Sequence, residues 1–188
     1  MKNGSGILVV SALEMELIAS LLPDEITQVV TGVGKVNAAC SVTRALEKFQ
    51  PALVVNFGTA GAVRTGLEGL LEVGRVIQHD IDAEPLAPRG RTPFEPELDE
   101  LTSGQVGVTC ATGDRFVTAR DPWLEARQVD LVDMELYAIA AACRQAGVPW
   151  RAFKFISDSA NQDAGRDWQA NVHRGQHLFV ERLTQLLS

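Results

Sequence analysis

The chain has 188 residues and a mass of 20.3 kDa, the size of one ordinary domain. Apolar residues make up 46% and charged residues 22%, a balance that excludes disordered, collagen-like and coiled-coil proteins. The net charge of −7 argues against nonspecific nucleic-acid binding, which needs a basic footprint.

The apolar runs are too short to span a bilayer, so no membrane association is expected. The first residues, Met1 to Gly6, run into a short apolar stretch without a secretory leader pattern, which points to a cytoplasmic protein. Cys40, Cys110 and Cys143 are odd in number and widely spaced. They fit buried hydrophobes better than a disulfide framework or a zinc cluster.

In chain order, Ile7 to Ala12 reads as a buried strand, followed by an acidic turn and a short helix over Leu13 to Leu22. Ile26 to Thr31 is a second strand, ending at Gly32-Val33-Gly34. Residues 35–50 form a helix, with Val36, Ala39, Val42, Leu46 and Phe49 at three- and four-residue steps, stopped by Pro51. Leu53 to Phe57 is a strand, expected to break at Gly58-Thr59-Ala60-Gly61. Val73 to Gln78 and Gln105 to Ala111 are further strands. The proline-rich stretch between them, about 79–104, is an irregular loop region, too long to be a plain connection.

A short strand near Val129 precedes a helix from Asp133 to Gly147, with Gly147 as C-cap. Trp150 to Ser157 is a strand. Asp167 to Leu187 reads as one amphipathic helix with Trp168, Val172, Phe179, Leu183 and Leu186 inward. Alternating strands and helices make this a single-domain α/β protein with a mostly parallel or mixed sheet.

Ligands of such sheets gather where strands end. Six strand ends here carry carboxylates or glycine turns: Glu14 and Glu16; Gly32 to Lys35; Gly58 to Gly61; Gly113-Asp114-Arg115-Phe116; Asp133-Met134-Glu135; and Ser157-Asp158. Together they imply a cleft with several carboxylates and little positive charge. Such a cleft suits a neutral polyhydroxylated ligand or a cationic transition state.

Other motifs fall short. Gly32-Val33-Gly34-Lys35-Val36-Asn37 lacks the third glycine of a dinucleotide fingerprint and the residues of a phosphate loop. His173 and His177 stand four apart, but Arg174 occupies the place of the glutamate base of a zinc hydrolase. No G-x-S-x-G elbow occurs.

Six pieces in order resemble the purine nucleoside phosphorylase/uridine phosphorylase superfamily, and within it the 5′-methylthioadenosine/S-adenosylhomocysteine nucleosidases. They are Ala12-Leu13-Glu14-Met15-Glu16, Thr31-Gly32-Val33-Gly34-Lys35-Val36, Asn56-Phe57-Gly58-Thr59-Ala60-Gly61, Gly113-Asp114-Arg115-Phe116, Val132-Asp133-Met134-Glu135 and Ile156-Ser157-Asp158-Ser159-Ala160.

The resemblance implies a twisted mixed sheet flanked by helices that cleaves the N-glycosidic bond of a nucleoside. It implies Asp158 as the general acid toward purine N7, supported by Ser157, and Glu16 as the base that activates water. It implies Glu135 on the ribose hydroxyls, with Asp133 beside it and Met134 against the sugar. Phe116 would stack on the base, and the Val117 backbone would meet its edge. Trp168 would cover the base and 5′ region, and Thr59 and Gly61 would line the ribose-and-water end. No metal or organic cofactor is implied, and a homodimer is.

The region after strand one is acidic, where phosphorylases of this superfamily carry arginine. Hydrolysis is therefore favoured over phosphorolysis, and an acid at Asp158 favours adenine over 6-oxopurines. Lys154 stands where many members have arginine, and Asp133 where many have glutamate. The chain is shortened near 79–104, and His79, Asp80 and Asp82 have no assigned role. A phosphorylase, a nucleosidase for another 5′-modified adenosine such as adenosylhopane or futalosine, and a non-catalytic nucleoside-binding protein remain alternatives.

Overall fold

The computed structural model describes residues 6–187; Met1 to Ser5, where no leader pattern was read, and Ser188 lie outside them. Eight strands form one mixed sheet: β1 (Ile7–Ser11), β2 (Thr27–Val30), β3 (Leu53–Ala62), β4 (Leu70–Gln78), β5 (Leu101–Thr102), β6 (Val108–Thr112), β7 (Leu131–Asp133) and β8 (Trp150–Asp158). Their order is β2-β1-β3-β7-β6-β4-β5, and β8 pairs with both β3 and β4. Strands β3, β7, β6, β4 and β8 therefore close on themselves in a ring. Strand β3 runs parallel to β1 and β8 but antiparallel to β7, and it meets β7 only through Gly61 and Ala62. Both sets of strands thus bring their carboxyl ends to the same place.

Helices α1 (Lys35–Phe49) and α3 (Leu136–Ala146) cover one face, packing Val42, Leu46, Leu136 and Ile139 onto Leu8, Val10, Val54 and Val76. Helix α5 (Gln176–Leu187) covers the other, where Phe179 stacks on Phe57 with centroids 4.5 Å apart and Leu183 joins Val9, Val55 and Phe153. The short helix α2 (Pro122–Ala126) starts at Asp121, whose side chain accepts the Trp123 N–H at 3.0 Å. Helix α4 (Ala164–Asn171) lies against β8.

Several expectations change. Cys40, expected among the buried hydrophobes, is exposed on α1, and the helix expected from Asp133 begins at Leu136. The Leu13 to Leu22 helix is a turn with a single 3₁₀ step at Ala19–Leu21. Strand β3 does not break at its glycines but continues to Ala62. Those glycines serve close approach rather than turning. A Cβ on Gly58 would sit 3.2 Å from Lys154 Nζ, and one on Gly61 would sit 2.8 Å from Asp158 Oδ1. The strand expected to begin at Gln105 starts at Val108. The single C-terminal helix is two, separated by a turn over 172–175 in which Gly175 packs its backbone onto Phe155, where a Cβ would lie 2.5 Å from the Phe155 Cβ.

The 79–104 region is tied down rather than loose. Asp80 accepts from Lys35 Nζ at 2.5 Å and from the Asp114 N–H at 2.7 Å. Arg89 donates to the His79 carbonyl and pairs with Asp121 at 2.6 Å. Tyr137 of α3 donates its hydroxyl to the Leu98 carbonyl. His79 is buried against Gly113, and burial holds its imidazole below the usual range, partly opposed by Asp80.

Candidate active site

A cavity of about 350 Å³ opens at the shared carboxyl ends, within the range of roughly 300–1,000 Å³ typical of small-molecule pockets. Its wall includes Glu16, Thr59, Gly61, Phe116, Val117, Met134, Glu135, Ser157, Asp158 and Trp168. Asp133 also borders it. The residues expected to form the site are therefore brought together from six separate stretches of chain.

Glu16 follows β1 and is almost wholly buried. Its Oε1 accepts the Thr59 N–H at 2.9 Å and the Thr59 hydroxyl at 2.8 Å, and its Oε2 accepts the Leu13 N–H at 3.1 Å. Thr59 can reach because β3 stays extended through Gly58, which leaves room for the Glu16 carboxylate 3.5 Å from where a Cβ would stand.

Asp158 ends β8, just past an irregularity in its pairing with β3 at Ala60 and Gly61. Its Oδ1 accepts the Ala160 N–H at 2.9 Å, and its Oδ2 accepts the Ser157 hydroxyl at 2.8 Å. Burial raises its carboxyl above the usual range, although these two hydrogen bonds oppose the shift. Asn171 of α4 holds the Ser157 carbonyl at 2.8 Å, fixing the end of the strand.

Glu135 precedes α3. Its Oε1 accepts the Gly34 N–H at 2.9 Å. The Gly32-Val33-Gly34 turn thus holds a protein carboxylate. Gly34 adopts a φ of 94°, in the region that favours glycine, and a Cβ there would lie 3.1 Å from Asp114 Oδ1. Burial, then the neighbouring Asp133, pushes the Glu135 carboxyl up to about 7.

Asp133 borders the cavity, but its side chain is engaged within the protein. Its side chain has no exposure and forms an ion pair with Lys154 Nζ at 2.7 Å. The same carboxylate accepts the Thr112 hydroxyl at 2.5 Å and the Leu136 N–H at 2.9 Å. Its hydrogen-bonding capacity goes to the start of α3 and to Lys154, so only the rest of the residue faces the cavity. Burial pushes the Asp133 carboxyl up, but Lys154, Thr112 and Leu136 together hold it below the usual range. Burial would lower the Lys154 ammonium, yet Asp133 and the other acidic groups around it raise it.

In the sequence Lys154 stands out only as a lysine where many members of the family have arginine; the structure shows it as the partner of Asp133. The signal was available: it is a cation inside the apolar run Phe153-Lys154-Phe155-Ile156, and a buried lysine needs a carboxylate partner. The expectation of little positive charge also needs amending. Lys154 lies beneath the site, and Arg115 lines the mouth while pairing with Asp121 at 3.2 Å.

Phe116 is 43% exposed and forms an open apolar wall, with Val117 buried behind it against Leu124 and Val132. Trp168 projects from α4, and its indole N–H donates to Thr59 Oγ1 at 2.9 Å.

The family model of the phosphorylase superfamily matches residues 12–188. A 5′-methylthioadenosine/S-adenosylhomocysteine nucleosidase of Staphylococcus haemolyticus is 32% identical, covering 87% of this chain and 82% of that protein. One from Staphylococcus aureus is 29% identical over 95% of this chain and 89% of its own length. An S-adenosylhomocysteine nucleosidase of Streptococcus pyogenes, solved in complex with 5-methylthiotubericidin, superposes with a TM-score of 0.80 at 26% identity, covering 96% of this chain and 93% of that one. The ring of strands, the carboxylates at its mouth and these similarities together make the chain a member of the phosphorylase superfamily, among its nucleosidases.

Proposed function

We propose that the protein hydrolyses the N-glycosidic bond of a 5′-modified adenine nucleoside of the methylthioadenosine/S-adenosylhomocysteine type and releases adenine. The observation that carries this reading is the convergence of three differently held carboxyl groups on one cavity. Glu16 is fixed by three donors, Glu135 is raised to about 7, and Asp158 is raised by burial.

In this reading Asp158 gives its proton to purine N7 as the C1′–N9 bond breaks and the electron pair leaves with the base. A carboxyl raised by burial suits an acid that must enter the reaction protonated. Water attacks C1′ and loses its proton to Glu16. Glu135 accepts from the ribose hydroxyls, with Met134 against the sugar and Phe116 on the base. Val117, which lines the cavity, would meet the base edge through its backbone.

Water is favoured over phosphate. The cations near the cavity, Lys154 and Arg115, are paired with Asp133 and Asp121, and Glu16 would repel an anion. We also place the protein in the cytoplasm as a homodimer. No helix among the described residues is long and apolar enough to cross a membrane. Val36, Leu86, Phe94 and Val106 are among the exposed apolar side chains available to a contact between copies.

The test is adenine release from methylthioadenosine, S-adenosylhomocysteine and adenosine, with and without phosphate. Phosphate-independent release that falls by about 10²–10⁴ in Asp158→Asn supports the reading. Strict dependence on phosphate would make the protein a phosphorylase, and tight binding without turnover would make it a binding protein.

A further inference from the structure

Glu16 and Trp168 do not touch, yet a single hydroxyl joins them. Trp168 Nε1 lies 2.9 Å from Thr59 Oγ1, which lies 2.8 Å from Glu16 Oε1. The direction of this chain is set by chemistry. An indole N–H only donates, a carboxylate only accepts, and a threonine hydroxyl has one proton and two acceptor sites. Thr59 must therefore accept from Trp168 and give its proton to Glu16.

We propose that Trp168 is a positioning residue for the water-activating carboxylate, acting through Thr59. The indole N–H occupies the acceptor side of the Thr59 hydroxyl and keeps its proton on Glu16. Hydrogen bonds in such a chain polarise one another, so Thr59 becomes a stronger donor. A carboxylate offers about four acceptor sites. Three on Glu16 are taken by Thr59 N–H, Thr59 O–H and Leu13 N–H, which leaves one for the attacking water. Helix α4, which carries Trp168 along the cavity wall, thereby sets the orientation of that last site. A phenylalanine would fill the same wall without this effect.

The inference rests on Glu16 being the base, and the experiment separates the two. Trp168→Phe keeps the ring and removes the donor. It is expected to lower kcat about three- to tenfold, the size of one neutral hydrogen bond, with KM changed less than about twofold. Thr59→Val lowers kcat further, and the double variant is no worse than Thr59→Val alone. If Trp168→Phe costs the same factor in the Thr59→Val background, the tryptophan acts only by packing and the proposal fails.

A second readout does not need turnover. The ¹⁵N-indole signal of Trp168, identified by its loss in Trp168→Phe, should move in Thr59→Val and return in Thr59→Ser. A signal indifferent to Thr59 overturns the relay even if all variants are active. Full activity of Glu16→Gln with the indole coupling intact would instead overturn the assignment of Glu16 as base.

Discussion

Replacing Lys154 with methionine removes one charge from a pair that has almost no contact with solvent. The ammonium is 1% exposed, the Asp133 side chain is fully covered, and they meet at 2.7 Å. Breaking a buried pair by removing one partner costs about 3–5 kcal/mol, because the other charge is left uncompensated. Asp133 would keep the Thr112 hydroxyl and the Leu136 N–H, which places the expected loss near the lower end, ~3 kcal/mol. For a chain of this length that corresponds to a fall in Tm of about 6–12 °C. Circular dichroism melts and urea titrations of wild type, Lys154→Met and the double variant Asp133→Asn/Lys154→Met measure it. The double variant removes the orphaned charge and should recover much of the loss. Activity should fall in the single variant as well, because Lys154 restrains the rise of the Glu135 carboxyl. A single variant within 1 kcal/mol of wild type, or a double variant no better than the single, would refute the reasoning.

Glu135 provides a pH test with a definite sign. Its folded value of about 7 lies above its ordinary 4.5, so the native state binds the extra proton between those limits and stability declines as pH rises through that window. Glu135→Gln should therefore gain stability over wild type at pH 8 more than at pH 5, by about 2–3 kcal/mol, even as it loses activity; equal melting differences at both pH values would contradict this. In the wild type, adenosine affinity should weaken about tenfold per unit below pH 7, since the ribose hydroxyls need the ionised acceptor; a flat affinity from pH 5 to 8 would remove Glu135 from the ribose. Gly61→Ala pushes a methyl to within 2.8 Å of Asp158 Oδ1 and should cost about 1–3 kcal/mol of stability together with most of the activity, and an active, fully stable variant would show that the acid does not need this close approach.

Much of this molecule was legible in its sequence because its chemistry sits where local signals are strong. Strands β1, β2 and β8 and helices α1 and α3 follow from apolar runs and helical spacing, and Gly147 caps α3 in the left-handed conformation as its position after Ala146 implies. The candidate site is legible in six short pieces of sequence, whose order carries more than any one of them. What escaped was tertiary. Gly58 and Gly61 look like a turn in one dimension, but in the fold they are gaps that admit Glu16, Lys154 and Asp158. Gly175 sits inside a helical pattern, and only the fold shows that it lies in a turn, close against Phe155. Asp133 and Lys154 are 21 positions apart, and nothing local shows that one neutralises the other rather than serving the ligand.

That neutralisation decides the charge of the cavity. With Lys154 committed to Asp133 and Arg115 paired with Asp121 at the mouth, the carboxyl groups lining the cavity at the ring of strands are Glu16, Glu135 and Asp158, and none has a cation of its own. In the proposed reaction Asp158, raised by burial, is the group that brings a proton. Glu135 is poised so that ribose hydroxyls can draw it into its ionised form. Glu16 is the proposed base toward the attacking water. As the glycosidic bond stretches, positive charge grows on the sugar between carboxylates already in place, and such preorganised charge lowers the barrier without rearrangement at the moment of reaction. The same field opposes an incoming phosphate. The buried lysine thus serves hydrolysis indirectly: by satisfying Asp133 it lets α3 begin where Glu135 meets the Gly34 N–H, and it leaves the cavity negative where the transition state is positive.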